Sequence, residues 1–276
     1  MSVLEQDYPQ IEVIVVDDNN PGTDARKKTE ELMSGFVDEK IVRYIKHEEN
    51  RNGAAARNTG IRNSKGEFIA FLDDDDYFLP YKLSKQVEFL KKCTCYSAVY
   101  CYAVNDNKPR KILEGDLRKQ LLLLETKMYT PSLMFKRTAL SVIGGFDESF
   151  KRHQDYELLM HFFSKGFTIG CLPEQLIKLG GNAGENALNG DKLSLLKKQF
   201  LNQFSDQINI LNETSSNFAN RVKSRHYATV ALTYIKEHNY SSAIRVLSKE
   251  CRYAPLEVFK VYGLSVYHHI NRFLKK

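Results

Sequence analysis

Apolar residues change period several times along the first two-thirds of the chain. Ile11–Val16 (IEVIVV) is a short β-branched run, the pattern of a buried parallel strand. Asp24 to about Met33 is polar at helical spacing, and Ile41–Ile45 reads as a second strand. Gly53–Ser64 is Ala-rich and helical. Glu67–Leu72 (EFIAFL) predicts a third strand that runs directly into Asp73-Asp74-Asp75-Asp76. Pro80 then opens a helix to about Lys92, with Leu83, Val87 and Leu90 on one face. Ala98–Tyr102 is a further strand. This β-α-β-α-β order predicts an α/β fold with a mainly parallel sheet. Ligands in such sheets bind beyond the carboxyl ends of the strands, and both acidic clusters, Asp17-Asp18 and Asp73–Asp76, lie at that edge.

Beyond residue 190 the strand signals stop. Leu193–Leu211, Ser216–Glu237, Ser241–Lys249 and Pro255–Lys275 all read as helices. The stretch 224–250 resembles one helical hairpin of tetratricopeptide type. Two regions are therefore expected, an α/β domain over residues 1–190 and an all-helical region over 191–276.

Composition narrows the class. The chain has 276 residues, 42% of them hydrophobic and 27% charged, which excludes disordered and collagen-like proteins. No apolar run approaches the roughly 18–20 residues of a membrane span, and no secretory leader follows Met1. The five cysteines are odd in number and lack zinc spacing, so Cys93, Cys95 and Cys101 read as buried thiols in a cytoplasmic protein. Charge is uneven. Residues 1–190 carry 26 Lys/Arg and 28 Asp/Glu, whereas 191–276 carry 14 and 6. A basic last third points to an anionic neighbour or simply to a solvated basic surface.

Several clusters can carry chemistry. Four consecutive aspartates repel one another, and a hard divalent cation relieves that repulsion. Alternate residues of an extended segment share a face, so Asp73 and Asp75 can point together. A solvated turn capping the next helix is the plainer alternative. Asp17-Asp18-Asn19-Asn20 can accept hydrogen bonds from a nucleobase or ribose, or can be ordinary turn chemistry. In Asn52-Gly53-Ala54-Ala55-Ala56-Arg57-Asn58 the small residues let a ligand approach a helix N-terminus, and Arg57 can meet a phosphate or base. Asp155 opens another helix, where it suits either the helix dipole or a general base.

Taken in order, YPQIEVIVVDD, NGAAARNTGI, GEFIAFLDDDDYFLPYKL, Lys136-Arg137 with GGFDE, and Gln154-Asp155 resemble a family-2 glycosyltransferase of GT-A fold over roughly residues 2–180. The resemblance implies a Rossmann-like α/β domain followed by the helical region. It implies that Asp18, with Asp17, holds the uracil of a UDP-sugar, and that Arg57 contacts base or phosphate. Asp73 and Asp75 match the family's DxD motif: Asp75 binds the metal, Mg²⁺ or Mn²⁺, with Asp73 beside it, and Asp73 or Asp74 binds the ribose. Asp155 matches the catalytic base that takes a proton from the acceptor hydroxyl as it attacks C1, inverting the anomeric centre. Two positions depart from the pattern. Gln154 stands where Glu is usual, and Lys178-Leu179-Gly180-Gly181-Asn182-Ala183 lacks a histidine found in many relatives, so Lys178 or backbone amides would take its part. Relatives also begin with a strand and most of a helix, about 25–30 residues, that this sequence does not contain.

Two functions follow as expectations. One is an inverting, metal-dependent transfer of a sugar from a nucleotide-sugar donor to a hydroxyl of a glycan or lipid-linked acceptor in surface polysaccharide biosynthesis. The basic helix Pro255–Lys275 would then contact the inner face of the membrane. The other is a non-catalytic remnant or partner-binding protein with the helical tail as its interaction module. No nucleic-acid module is visible.

Overall fold

A computed structural model describes residues 2–36, 40–104, 106, 112–126, 128–180 and 187–263. Its elements follow the predicted alternation. β1 (Val13–Asp17), α1 (Asp24–Ser34), β2 (Val42–Lys46), α2 (Gly53–Asn63) and β3 (Phe68–Ala70) come first. β4 (Tyr77–Phe78), α3 (Lys82–Lys92), β5 (Ala98–Ala103) and α4 (Arg118–Leu122) follow, then β6 (Leu133–Lys136), α5 (Arg137–Ile143), α6 (Gln154–Ser164) and β7 (Ile169–Lys178). The remaining helices are α7 (Gly190–Gln203), α8 (Ser205–Thr214), α9 (Phe218–Lys236) and α10 (Tyr240–Glu250). Residues 255–263 are also helical; the later residues of the predicted Pro255–Lys275 helix, Tyr267, Ile270, Arg272, Leu274 and Lys275 among them, lie outside the described residues. No helix among the described residues is long and apolar enough to cross a membrane.

The chain forms two compact units. The first is Met1–Leu117 with Met128–Asn182; the second is Arg118–Lys127 with Ala183–Lys276. Thus a short segment from the middle of the chain, including α4, folds with the C-terminal helices.

In the first unit the fold is α/β, but its strands form two sheets. β1 and β2 pair in parallel. The other five run in the order β3-β6-β5-β7-β4, with β5 parallel to β7 and the other three pairs antiparallel. The larger sheet is therefore mixed where a mainly parallel one was expected. Hydrophobic period reports burial and not strand direction, and the short apolar runs of β4 and β6 carry no turn signal that would fix it. α3 packs Leu83, Val87 and Leu90 against Val99 of β5, Met134 of β6 and Ile177 of β7, all buried. Phe71, Phe135 and Phe162 meet edge to face behind this layer, at centroid distances of 6.4 and 5.5 Å. Cys101 is buried as expected, but Cys95 is exposed and Cys93 half-buried, because both sit in the turn between α3 and β5.

One core position is out of character. Lys82 is fully buried; its Nζ donates to Gln86 Oε1 at 2.7 Å and sits 4.0 Å from the Phe78 ring centroid. Burial pulls its pKa from 10.5 down to about 8. Between those values the unfolded chain holds a proton the folded chain has released, so stability rises with pH across that window. Lys82→Met is expected to add roughly 1–3 kcal/mol at pH 7 and to lose this rise relative to the parent. Urea melts at pH 7 and 9.5 check it: an equal rise in the variant would exclude the amine as its source.

In the second unit, α9 lies against α7, α8 and α10 through Tyr227, Val230, Ala231 and Tyr234, with Ala243 of α10. Phe204 breaks the single predicted helix over 193–211 into α7 and α8. Arg225 of α9 ties in α4's segment through the Leu123 carbonyl and the Glu125 carboxylate, and binds Glu257 as well. Three cations, Arg221, Arg225 and Lys260, hold the Glu257 carboxyl down to about 2 against the opposing effect of burial.

Candidate active site

β1 delivers Asp17 and Asp18 to its carboxyl end, and the two carboxylates do different things. Asp17 Oδ1 accepts from Asn19 N at 2.9 Å and Asn19 Nδ2 at 2.7 Å; Oδ2 accepts from Tyr44 OH at 2.5 Å, with Arg26 Nε at 3.3 Å. Its side chain is wholly enclosed. Burial favours its neutral form, but these donors outweigh that and hold its pKa below the ordinary value. Asp17 thus shapes its own loop and has no lone pair toward solvent, so the donor-binding expectation for the pair rests on Asp18.

Asp18 Oδ1 accepts from Arg51 N and faces His47 Nδ1, each at 2.8 Å, and Oδ2 accepts from Asn52 N at 2.8 Å. A carboxylate offers about four lone pairs, which leaves one on Oδ2. Asn52 stands at φ 82° and caps α2, its Oδ1 accepting from Ala54 N at 2.8 Å. His153, ahead of α6, is also at positive φ, 59°. Such non-glycine conformations persist where surrounding contacts fix them, and here they mark the loops that carry the candidate residues.

α2 is bolted to the GGFDE loop. Asn58 Nδ2 donates to Phe146 O at 2.8 Å and Glu148 Oε1 at 3.0 Å, while Phe146 N donates back to Asn58 Oδ1 at 2.8 Å. Gly145 makes this possible: its φ is 81°, and a Cβ there would lie 2.4 Å from Asn58 Oδ1. Arg51 reaches Glu148 Oε2 at 3.0 Å.

Next to Asn58 on α2, Arg57 points into the cluster. Its Nη1 donates to Gln154 Oε1 at 2.6 Å and its Nη2 to Asp73 Oδ1 at 2.5 Å, with the guanidinium 5.5 Å from the Phe146 ring centroid. Gln154 also donates from Nε2 to Phe150 O at 2.7 Å. A carboxylate at that position could accept from Arg57 but could not donate to Phe150, so the amide suits both neighbours.

The four aspartates form a turn closed by Asp76 N donating to Asp73 O at 3.1 Å. Asp74 and Asp75 are exposed, Asp73 is half-buried on Arg57, and Asp76 Oδ1 accepts from Gly180 N at 2.8 Å. Burial and the carboxylates of Asp75, Asp73 and Asp74 all raise the Asp76 pKa, partly offset by that Gly180 amide. Gly180 follows the end of β7, in the stretch where Lys178 or backbone amides are the expected substitutes for the histidine; Gly181, Asn182 and Ala183 lie outside the described residues. Among the described residues no three His, Cys, Asp or Glu side chains are gathered as a metal site. The donor set still fits a hard cation. Mg²⁺ and its like are held by one or two carboxylates plus phosphate oxygens, and the turn presents crowded carboxylates with Asp75 facing solvent.

Asp155 lies in the first turn of α6, half-buried, its Oδ1 accepting from Tyr156 N at 2.9 Å. Burial pushes its pKa up to about 6; the Tyr156 amide and Arg57 pull the other way, and Asp73 adds to the rise. A carboxyl poised there can accept a proton near neutral pH.

The structure therefore links Asp73, Arg57 and the start of α6, and it holds Asp18 at the head of the loop leading to α2. Sequence reasoning passed over His47, which bridges Asp18 and Thr59 Oγ1 (2.9 Å). It follows β2 directly and so reaches the same sheet edge as Asp18, a signal its spacing to other histidines does not give.

Residues 1–146 match the family model described as glycosyl transferase family 2. An uncharacterized glycosyltransferase of Rickettsia typhi is 33% identical over 58% of this chain and 52% of its own length. The chain thus spans about half the length of that relative. A Bacillus subtilis (strain 168) protein, TuaG, named as a glycosyltransferase of teichuronic acid biosynthesis, is 40% identical over 71% of this chain and 77% of its own. Among solved structures, a Pyrobaculum calidifontis mannosyltransferase in complex with GDP-Man and Mn²⁺ is 19% identical, with a TM-score of 0.56 over 98% of this chain and 74% of that one. This last likeness bears on the fold alone and agrees with the GT-A architecture.

Proposed function

The chain belongs to glycosyl transferase family 2, and on that premise we propose that it moves a sugar from a nucleotide-sugar donor, a UDP-sugar, to a hydroxyl of a glycan or lipid-linked acceptor in polysaccharide biosynthesis, with inversion. The reading places the reaction on the cytoplasmic side of the membrane. The observation that carries it is Arg57, whose two nitrogens join the acidic turn at Asp73 to Gln154, the neighbour of Asp155. One side chain so brings a candidate donor-holding turn beside a carboxyl suited to base chemistry. The TuaG relative, named for teichuronic acid biosynthesis, supports a glycan acceptor.

In this mechanism Asp18 uses its remaining lone pair on the nucleobase, and Asp73 or Asp74 takes the ribose. Arg57 pairs with Asp73 and holds the start of α6 in place through Gln154. Asp155 accepts the acceptor hydroxyl's proton as that oxygen forms its bond to C1 and the nucleoside diphosphate leaves with the old bond's electrons. A Mg²⁺ or Mn²⁺ ion at Asp75, with Asp73, would supply positive charge against the departing diphosphate.

Thermal-shift titration with UDP, with and without Mn²⁺, tests the donor site. At about 100 times its dissociation constant a ligand stabilises by roughly 2.7 kcal/mol. The expected result is a Mn²⁺-dependent rise that Asp75→Ala abolishes. A rise with GDP or dTDP in place of UDP would change the donor. A cooperative melt that responds to none of them would favour the non-catalytic reading.

A further inference from the structure

The mechanism above uses nothing from the helical unit, yet that unit carries all of the chain's positive surplus and an open cleft of about 740 Å³ among α7, α8, α9 and α10. This volume is in the range of ligand sites. Five cations line it: Lys198 on α7, Lys223 on α9, Arg245 and Lys249 one turn apart on α10, and Arg252 just beyond. All five are exposed. One carboxylate, Glu250, lines the same cleft, 2.7 Å from Lys223 Nζ and 3.6 Å from Lys249 Nζ. The cleft is thus strongly positive after its own ion pairs are counted.

Its other walls say what kind of anion fits. Leu201, Ile208 and Val246 supply apolar surface. Tyr227 and Tyr253 add ring faces and hydroxyls, Tyr253 being 60% exposed with the Arg252 guanidinium 4.5 Å from its ring centroid. Asn202, Asn209, Ser194 and Ser205 offer both donors and acceptors. A bilayer surface is broad and flat, and cations lining a concavity cannot all reach it. A bare phosphate would need neither the tyrosines nor the amides. A chain of sugar or polyol units carrying carboxylates or phosphates uses all three: rings for the apolar C–H faces, amides and hydroxyls for hydroxyl groups, and cations for the charges.

We propose that this cleft binds an anionic glycan, a segment of the polymer the enzyme extends; that identity of the occupant as acceptor rests on the transferase reading, while the cleft's charge does not.

The test is calorimetric titration of the full chain, without donor, by galacturonic acid tetrasaccharide, its carboxyl-reduced neutral counterpart, and a glycerol phosphate tetramer. The expected result is that at least one anionic probe binds tenfold or more tightly than the neutral one, and more weakly as NaCl is raised from 50 to 300 mM. Which anionic probe binds better tells carboxylate from phosphate polymers. The triple variant Lys198→Gln/Arg245→Gln/Lys249→Gln should lose tenfold or more in affinity and keep the parent's melting temperature and nucleotide response. If it does not fold, Lys223→Gln/Arg252→Gln replaces it. Equal affinity for the neutral probe, unchanged affinity in the folded variant, or equally tight binding of hexaglutamate or anionic phospholipid vesicles would overturn the proposal. Glycan binding in a chain that responds to no nucleotide would instead sink the transferase reading and leave the cleft standing.

Discussion

Asp155→Asn is expected to lower kcat by about 10²- to 10⁴-fold and to leave the UDP-dependent thermal shift within error of the parent. The amide has nearly the carboxylate's shape and can still accept from Tyr156 N, the bond Asp155 Oδ1 makes at 2.9 Å. What it cannot do is take a proton. The pH dependence sharpens the prediction. With its pKa raised to about 6 by burial, Asp155 is mostly ionised at pH 7 and neutral at pH 5. The parent's kcat/KM should therefore fall tenfold per unit below about pH 6, and the variant's residual rate should lack that limb. Stability supplies a control with the opposite sign. The folded chain keeps the Asp155 proton to higher pH than the unfolded chain, whose value is near 3.8. Ionisation therefore costs stability as pH rises from about 4 to 6, so the variant should melt no lower than the parent at pH 7. A variant that melts normally and turns over at the parent's rate would remove Asp155 from the chemistry.

The sequence made the frame of this site legible and left its wiring obscure. β1, α1, β2, α2, β3, α3 and β5 each have a run long enough, or a cap clear enough, to be read within about two residues. The two-residue β4 and four-residue β6 have neither, and the antiparallel pairing they create is a property of the whole sheet. The division of labour between Asp17 and Asp18 was equally hidden. It depends on Tyr44 and Arg26, which lie 27 and 9 residues away and reach Asp17 only after β1 and β2 pair. Arg57 was read as a ligand contact. The structure gives it protein partners on both sides, Asp73 and Gln154. The basic last third points in sequence to an anionic neighbour or a solvated surface; only the packing of α7 to α10 gathers several of its lysines and arginines into a cleft.

The site depends most on one residue without a side chain. A Cβ on Gly180 would lie 2.2 Å from the Asp75 carbonyl oxygen, 2.8 Å from its carbon and 2.9 Å from its Cβ. None of these atoms is the tip of a flexible side chain, so either the aspartate turn or the end of β7 must give by about 1 Å to restore ordinary contact. Backbone conformation is not the obstacle, since Gly180 is absent from the positive-φ glycines. The displacement would fall on the peptide of Asp75 and would stretch the 2.8 Å bond from Gly180 N to Asp76 Oδ1. If the turn holds the donor, a 1 Å misplacement there costs on the order of 10²-fold in kcat/KM. Gly180→Ala should show that loss together with a weakened UDP and Mn²⁺ response. Its melting temperature should fall only modestly, as for a local overpacking cost of roughly 1–3 kcal/mol. Gly60→Ala is the matched control. It lies within α2 with nothing inside 4 Å of the added Cβ, so the change should be neutral or slightly stabilising. Gly180→Ala with full activity and full nucleotide response would show that the aspartate turn is free to move, and a turn that moves so easily could not be what positions the donor.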